Sequence, residues 1–181
     1  MRNFVVAAAL MATPALATEM QIEVEGYANG TITIDLLEDV APNHVERLST
    51  LAKEGAYDGV VFHRVIEGFM AQTGDVQFGK MGMDMRRAGT GGSSYPDLEQ
   101  EFSDLNFDRG VVGIARSQSP NSANSQFFIM FDEGAFLNGQ YTVVGRVTDG
   151  MDVVDQIKRG HPRTGAVTGQ PDVMKKVTVT E

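Results

Sequence analysis

Residues 62–75, FHRVIEGFMAQTGD, place Arg64 among Phe62, Val65 and Ile66 and follow it with Phe69, Met70 and Gln72. A guanidinium stays charged at any working pH and offers several N–H donors in a rigid fork, so a fixed one beside apolar walls can hold an acceptor in one geometry. Two further segments mix aromatics with uncharged hydrogen-bonding groups in the same way: GIARSQSPNSANSQFFIM at 113–130 and AFLNGQYTVVGRV at 135–147. By periodicity alone, paired aromatics such as Phe127 and Phe128 read as core, and Arg64 as a surface cation whose stem covers apolar area. A strand has two faces, however, so some side chains of RVIEGFMAQ must point away from that core. This leaves room for a lined groove.

Other chemistry is weakly marked. His44, His63 and His161 follow no metal-ligand spacing and read as packing or surface histidines. No nucleophile-elbow pattern singles out a serine. The absence of cysteine excludes disulfides, thiolate metal sites and thiol nucleophiles together. The run Gly89-Thr90-Gly91-Gly92-Ser93-Ser94 lacks the Lys and following helix of a phosphate loop and reads as flexible turn. Met81, Met83 and Met85 could offer soft thioethers to Cu(I), but the plainer reading is a surface loop. A net charge of −9 argues against nucleic acid or anionic lipid as the main partner.

The elements that must position these residues follow from pattern. Alternation around Asn29-Gly30 predicts an antiparallel hairpin of residues 20–25 and 31–37. Pro42 opens a helix in which Val45, Leu48, Leu51 and Ala52 recur at helical spacing, and Gly55 ends it. Strands are expected at 60–66, 69–73, 110–115, 126–131, 142–148 and 173–179, with a helix from Gly150 to Lys158. Residues 74–97 are rich in Gly, Ser, Met and charge and read as a long surface loop. Many strands with two helices predict a mainly β fold, a closed barrel capped by the helices.

The first residues, MRNFVVAAALMATPALATE, show a positive end, an apolar run from Phe4 to Ala12, and a small-residue site Ala15-Leu16-Ala17. They are expected to form a cleavable signal peptide over 1–17, leaving one domain over 18–181 with no membrane span.

The motifs FHRVIEGFMAQTGD, ARSQSPNSANSQFFI and FLNGQYTVVGRVTDGMDVVDQI occur in this order, and through them the chain over 20–181 resembles the cyclophilin-type peptidyl-prolyl cis-trans isomerases, in particular their secreted bacterial branch. The resemblance implies a closed eight-stranded antiparallel barrel capped by two helices, with a proline-binding groove on its outer face. It implies Arg64 as the catalytic arginine and Gln72 as the partner of a substrate backbone group. Phe69, Met70 and Phe128 would be proline-pocket walls, and Ala115, Arg116, Gln126, Phe136, Leu137 and Tyr141 further groove positions. Arg116, Phe136 and Tyr141 stand where many eukaryotic members carry Asn, Trp and His, and Glu67 where the family usually has Pro, with little effect expected. A monomer without cofactor or metal is implied, acting on proline-containing peptides and unfolded exported proteins. Its place would be the periplasm, or outside the cell in a Gram-positive host. A peptide-binding chaperone using the same groove is the alternative.

Overall fold

A computed structural model describes residues 18–180, and the expected signal segment lies outside them. Among the described residues the chain forms nine strands, two α-helices and two short 3-10 turns. The expected hairpin is β1 (Thr18–Glu25) with β2 (Gly30–Leu36), paired antiparallel from Thr18 opposite Leu36 to Val24 opposite Gly30. Helix α1 (Pro42–Lys53) follows, burying Val45, Leu48, Leu51 and Ala52, and Gly55 leaves it at φ 69°, a left-handed turn that glycine adopts without strain. No side chain at Ala41 caps this helix. Instead the Glu101 carboxylate accepts from the backbone N–H of Asn43 and of His44, both at 3.1 Å. It thus fills the donors that a helix start leaves open.

Downstream lie β3 (Val60–Val61), β4 (Arg64–Ile66), β5 (Met70–Thr73), β6 (Val111–Ile114), β7 (Phe127–Met130), β8 (Val143–Asp149), α2 (Met151–Gln156) and β9 (Val173–Thr180). The strand order is β3-β9-β1-β2-β8-β6-β7-β5-β4. The sheet is therefore a curled, open one of nine strands, and the expectation of a closed eight-stranded barrel is corrected. The physical reason lies in the strand expected at 60–66, which is split into the two edges, β3 and β4. Between them Phe62 N–H donates to the Asp172 carbonyl at 2.9 Å and the His63 carbonyl accepts from Val167 N–H at 3.1 Å, and within β4 Val65 N–H donates to the Gly165 carbonyl at 2.8 Å. These groups bond to the connection between α2 and β9, so no ladder runs from one edge to the other.

Apolar side chains gather on both sides of part of this sheet. Phe127 and Ile129 of β7 enter the main core with Ile22, Ile34, Leu48 and Tyr57. Phe128 and Met130, alternating with them, join a second cluster with Met70, Phe107, Val111, Leu137 and Val143. This is the two-face reading of the motif.

One buried carboxylate ties three distant segments. Asp172, 1% exposed, accepts from Ala28 N–H and from Lys158 N–H, each at 2.7 Å. It joins the β1–β2 turn to the chain leaving α2. Asp172→Ala leaves both donors unpaired and is expected to cost about 3 kcal/mol. Urea unfolding measures this, and a midpoint equal to the wild type's would contradict the linking role.

Candidate active site

The register of the sheet aligns the site. Arg64 of β4 is paired with Gln72 of β5, Gln72 with Phe128 of β7, and Phe128 with Gly113 of β6. Residues paired across strands share a face, so this row carries its side chains to the outer side of the sheet. Arg64 is held at two points. Its Nη1 donates to Gln72 Oε1 at 3.1 Å and lies 3.9 Å from Met70 Sδ, while its Nε donates to the Thr164 carbonyl at 3.3 Å. Nη2 has no protein partner among the described residues. Burial lowers the pKa of this guanidinium, the nearby Tyr141 phenol opposing it.

A cavity of about 260 Å³ opens beside Arg64, lined by Phe69, Met70, Gln72, Ala115, Arg116, Phe128, Phe136, Leu137 and Tyr141. The structure thus brings together every candidate groove residue except Gln126. That residue lines an adjoining cavity of about 510 Å³, and Gln72, Ala115 and Arg116 border both. Phe128 forms the floor, stacked on Phe107 with centroids 5.8 Å apart and meeting Tyr141 edge-on at 6.0 Å. Phe136, 66% exposed, leans on Phe69 with centroids 5.3 Å apart. Glu67 lies outside the cavity and pairs with Arg159 at 2.6 Å.

The long loop at 74–97 is better ordered than its composition predicts. Asp75, fully buried, accepts from Gln77 N–H at 3.1 Å, Phe78 N–H at 2.8 Å, Gly89 N–H at 2.7 Å and Gly91 N–H at 3.0 Å. Gly91, held in this way, accepts Gln126 Nε2 at 2.7 Å, and Gln126 Oε1 accepts Gln72 Nε2 at 3.0 Å. A chain of bonds therefore runs from Arg64 through two glutamines to the loop.

Sequence reasoning missed Phe107, Gly113, Asp75 and Thr164. Only Gly113 carried a local signal, since glycine inside a strand marks close approach. A Cβ there would lie 2.5 Å from both Phe107 and Phe128 ring atoms. His63, next to Arg64, is buried with no well-formed hydrogen bond to either ring nitrogen. Burial lowers its pKa to about 4, Asp75 opposing and Arg64 adding to the shift.

A curled β-sheet carrying a pocket with aromatic walls and a pinned guanidinium on its outer face defines the class, and comparison with known proteins agrees. A crystal structure of a cyclophilin type peptidyl-prolyl cis-trans isomerase from Cryptosporidium parvum superposes with a TM-score of 0.75 at 23% identity, covering 92% of this chain and 99% of that one. The same protein solved in the presence of the dipeptide Ala-Pro gives 0.74 at 24% identity, covering 90% of this chain and 99% of the other. A Brucella suis protein named "Probable peptidyl-prolyl cis-trans isomerase" is 60% identical over 153 residues, 83% of this chain and 78% of that protein. The model of the family "Cyclophilin type peptidyl-prolyl cis-trans isomerase/CLD" matches residues 19–179, and the chain belongs to this family.

Gly113→Ala is expected to push Phe128 into the cavity and to lower kcat/KM for a proline peptide severalfold while the far-UV spectrum stays unchanged. Unaltered kinetics in that variant would show that the floor tolerates displacement. For His63, the folded pKa lies below the unfolded value near 6.5, so the folded state binds fewer protons between the two. The stability it contributes is present above about pH 6.5 and is lost as pH falls through about 4, a difference of roughly 3 kcal/mol. Urea midpoints from pH 7 to 4 are expected to fall more steeply for wild type than for His63→Leu; parallel profiles would oppose this.

Proposed function

We propose that this protein accelerates rotation about X-Pro bonds in exported proteins and so assists their folding, with Arg64 stabilising the twisted bond without covalent chemistry. The observation that carries this reading is the Arg64 guanidinium, pinned by Gln72 and Thr164 and lining one cavity with Phe69, Met70, Phe128 and Leu137. The Cryptosporidium parvum structure solved with Ala-Pro supports a proline ligand here, and the small-residue site Ala15-Leu16-Ala17 supports export, to the periplasm in a Gram-negative host.

An X-Pro amide resists rotation by about 20 kcal/mol because resonance gives its C–N bond double-bond character. As it twists, the proline nitrogen becomes pyramidal and regains a lone pair that the planar amide lacks. A donor already in place favours the twisted form over both planar ones, which is differential binding of the transition state. The free Nη2 edge of Arg64 supplies that donor. Phe69, Met70, Phe128 and Leu137 enclose the pyrrolidine ring and exclude water that would otherwise stabilise the planar, more polar amide. Gln72 and Gln126 bond the peptide backbone on one side, so that the other side turns.

A charge-assisted hydrogen bond contributes about 1.5–3 kcal/mol, so Arg64→Ala is expected to lower kcat/KM by about tenfold to a hundredfold. Arg64→Lys should recover little of it, since a lysine lacks the fork that Gln72 and Thr164 hold. Exchange broadening in the NMR spectrum of an Ala-Pro peptide reads both variants, with urea unfolding as the check on the fold. Wild-type exchange rates from folded Arg64→Ala would overturn the assignment.

A further inference from the structure

The charge of the groove differs from that of the molecule around it. The chain carries a net charge of −9, and three of its arginines, Arg86, Arg109 and Arg159, each meet a carboxylate, of Asp84, Asp155 and Glu67, whereas others such as Arg47 and Arg87 meet only carbonyl or aromatic groups. The two groove arginines also meet no carboxylate among the described residues. Arg64 is bonded only to Gln72, Met70 and the Thr164 carbonyl. Arg116 donates to the Gln140 carbonyl at 2.8 and 3.2 Å, to Ser117 at 3.0 Å and to Gln118 at 3.3 Å, and lies 4.3 Å from the Tyr141 ring centroid. Each of these contacts is neutral, so its charge is fixed in space and uncompensated.

Its place gives that charge a consequence. Arg116 borders both cavities, together with Gln72 and Ala115, so a peptide seated in both would pass it. The smaller cavity has no carboxylate in its lining. The larger has one, Asp97, which accepts from Asn124 Nδ2 at 2.9 Å. An extended chain advances about 3.3 Å per residue, so side chains within two residues of a bound proline fall on this shared border. A carboxylate there meets a half-buried, pre-positioned guanidinium, and an ammonium meets two like charges. Partial burial keeps such contacts from being fully screened.

We propose that Arg116 makes the groove selective for segments with Asp or Glu within two residues of the proline, against those with Lys or Arg there. This rests on the isomerase reading above. A purely structural Arg116, clamping the 117–118 and 140 carbonyls, would affect all peptides alike, so the charge ratio separates the two roles.

The test uses the protein over 18–181 and peptides with Glu, Ala or Lys placed one or two residues before the proline, or one after it. Catalysed exchange is measured by NMR at low salt and at about 0.5 M salt. For at least one placement, kcat/KM for Glu over Lys is expected to be about tenfold, attraction of one sign and repulsion of the other both counting, and to shrink at high salt. In Arg116→Gln the ratio should fall at least threefold whatever activity remains, while Arg116→Lys should keep most of it. Equal turnover of Glu and Lys peptides by wild type, or a ratio unmoved in Arg116→Gln, would overturn the inference and leave the isomerase standing. No turnover of any peptide, Ala-Pro included, would overturn the isomerase reading and the inference with it.

Discussion

Successive residues of a strand face opposite ways, and the site exists because β5 and β7 carry apolar residues on both faces. On one side Ala71, Phe127 and Ile129 pack into the main core. On the other, Met70, Phe128 and Met130 need cover of their own. That cover is incomplete: Phe107 and Leu137 shield the cluster, while Phe136 stays 66% exposed at its rim. The space left between them is the cavity. Such a pocket, with rigid walls set by a sheet and by stacked rings, needs little reorganisation to accept an apolar ring.

Arg64 depends on a second device, the chain of hydrogen bonds that ends at Asp75. All its links point one way. Arg64 donates to Gln72, Gln72 to Gln126, Gln126 to the Gly91 carbonyl, and Gly91 N–H to Asp75. A cation stands at the donor end and a buried carboxylate at the acceptor end. Reversing either glutamine amide would set N–H against N–H, so each link fixes the orientation of the next, and bonds aligned in this way polarise one another. The loop at 74–97 thus contributes to the site by holding one carbonyl in place, without touching the smaller cavity.

How much of this was legible in the sequence depended on how local the cause was. The hairpin around Asn29-Gly30 and the helix from Pro42 appeared where turn and cap residues put them, because neighbouring residues decide both. The strand at 60–66 was read as one and formed as two, because Phe62, His63 and Val65 are bonded to residues about a hundred positions later. The loop at 74–97 was read as loose because its glycines reveal free N–H groups but not which carboxylate gathers them. Arg64, Gln72 and Phe128 were readable through ordered motifs, and the register confirms that they share a face. Phe107 was not, since it stands in a stretch without periodicity and becomes part of the floor only by stacking on Phe128.

The chemistry asked of the groove also explains what surrounds its cation. In the mechanism proposed above, twisting an amide moves no proton, so a guanidinium that never gives its proton up suits the task. His63 follows Phe62 into the interior and stays neutral above about pH 4. At neutral pH the β4 edge therefore holds one charge, that of Arg64. Burying His63 under Gly89, where the loop closes over the ring, keeps the guanidinium as the sole charge at that edge. The loop that fixes the glutamines through Gly91 thus also covers the histidine through Gly89, and Asp75 binds both glycine amides; the burial outweighs the charge of Asp75 itself, which favours the protonated ring.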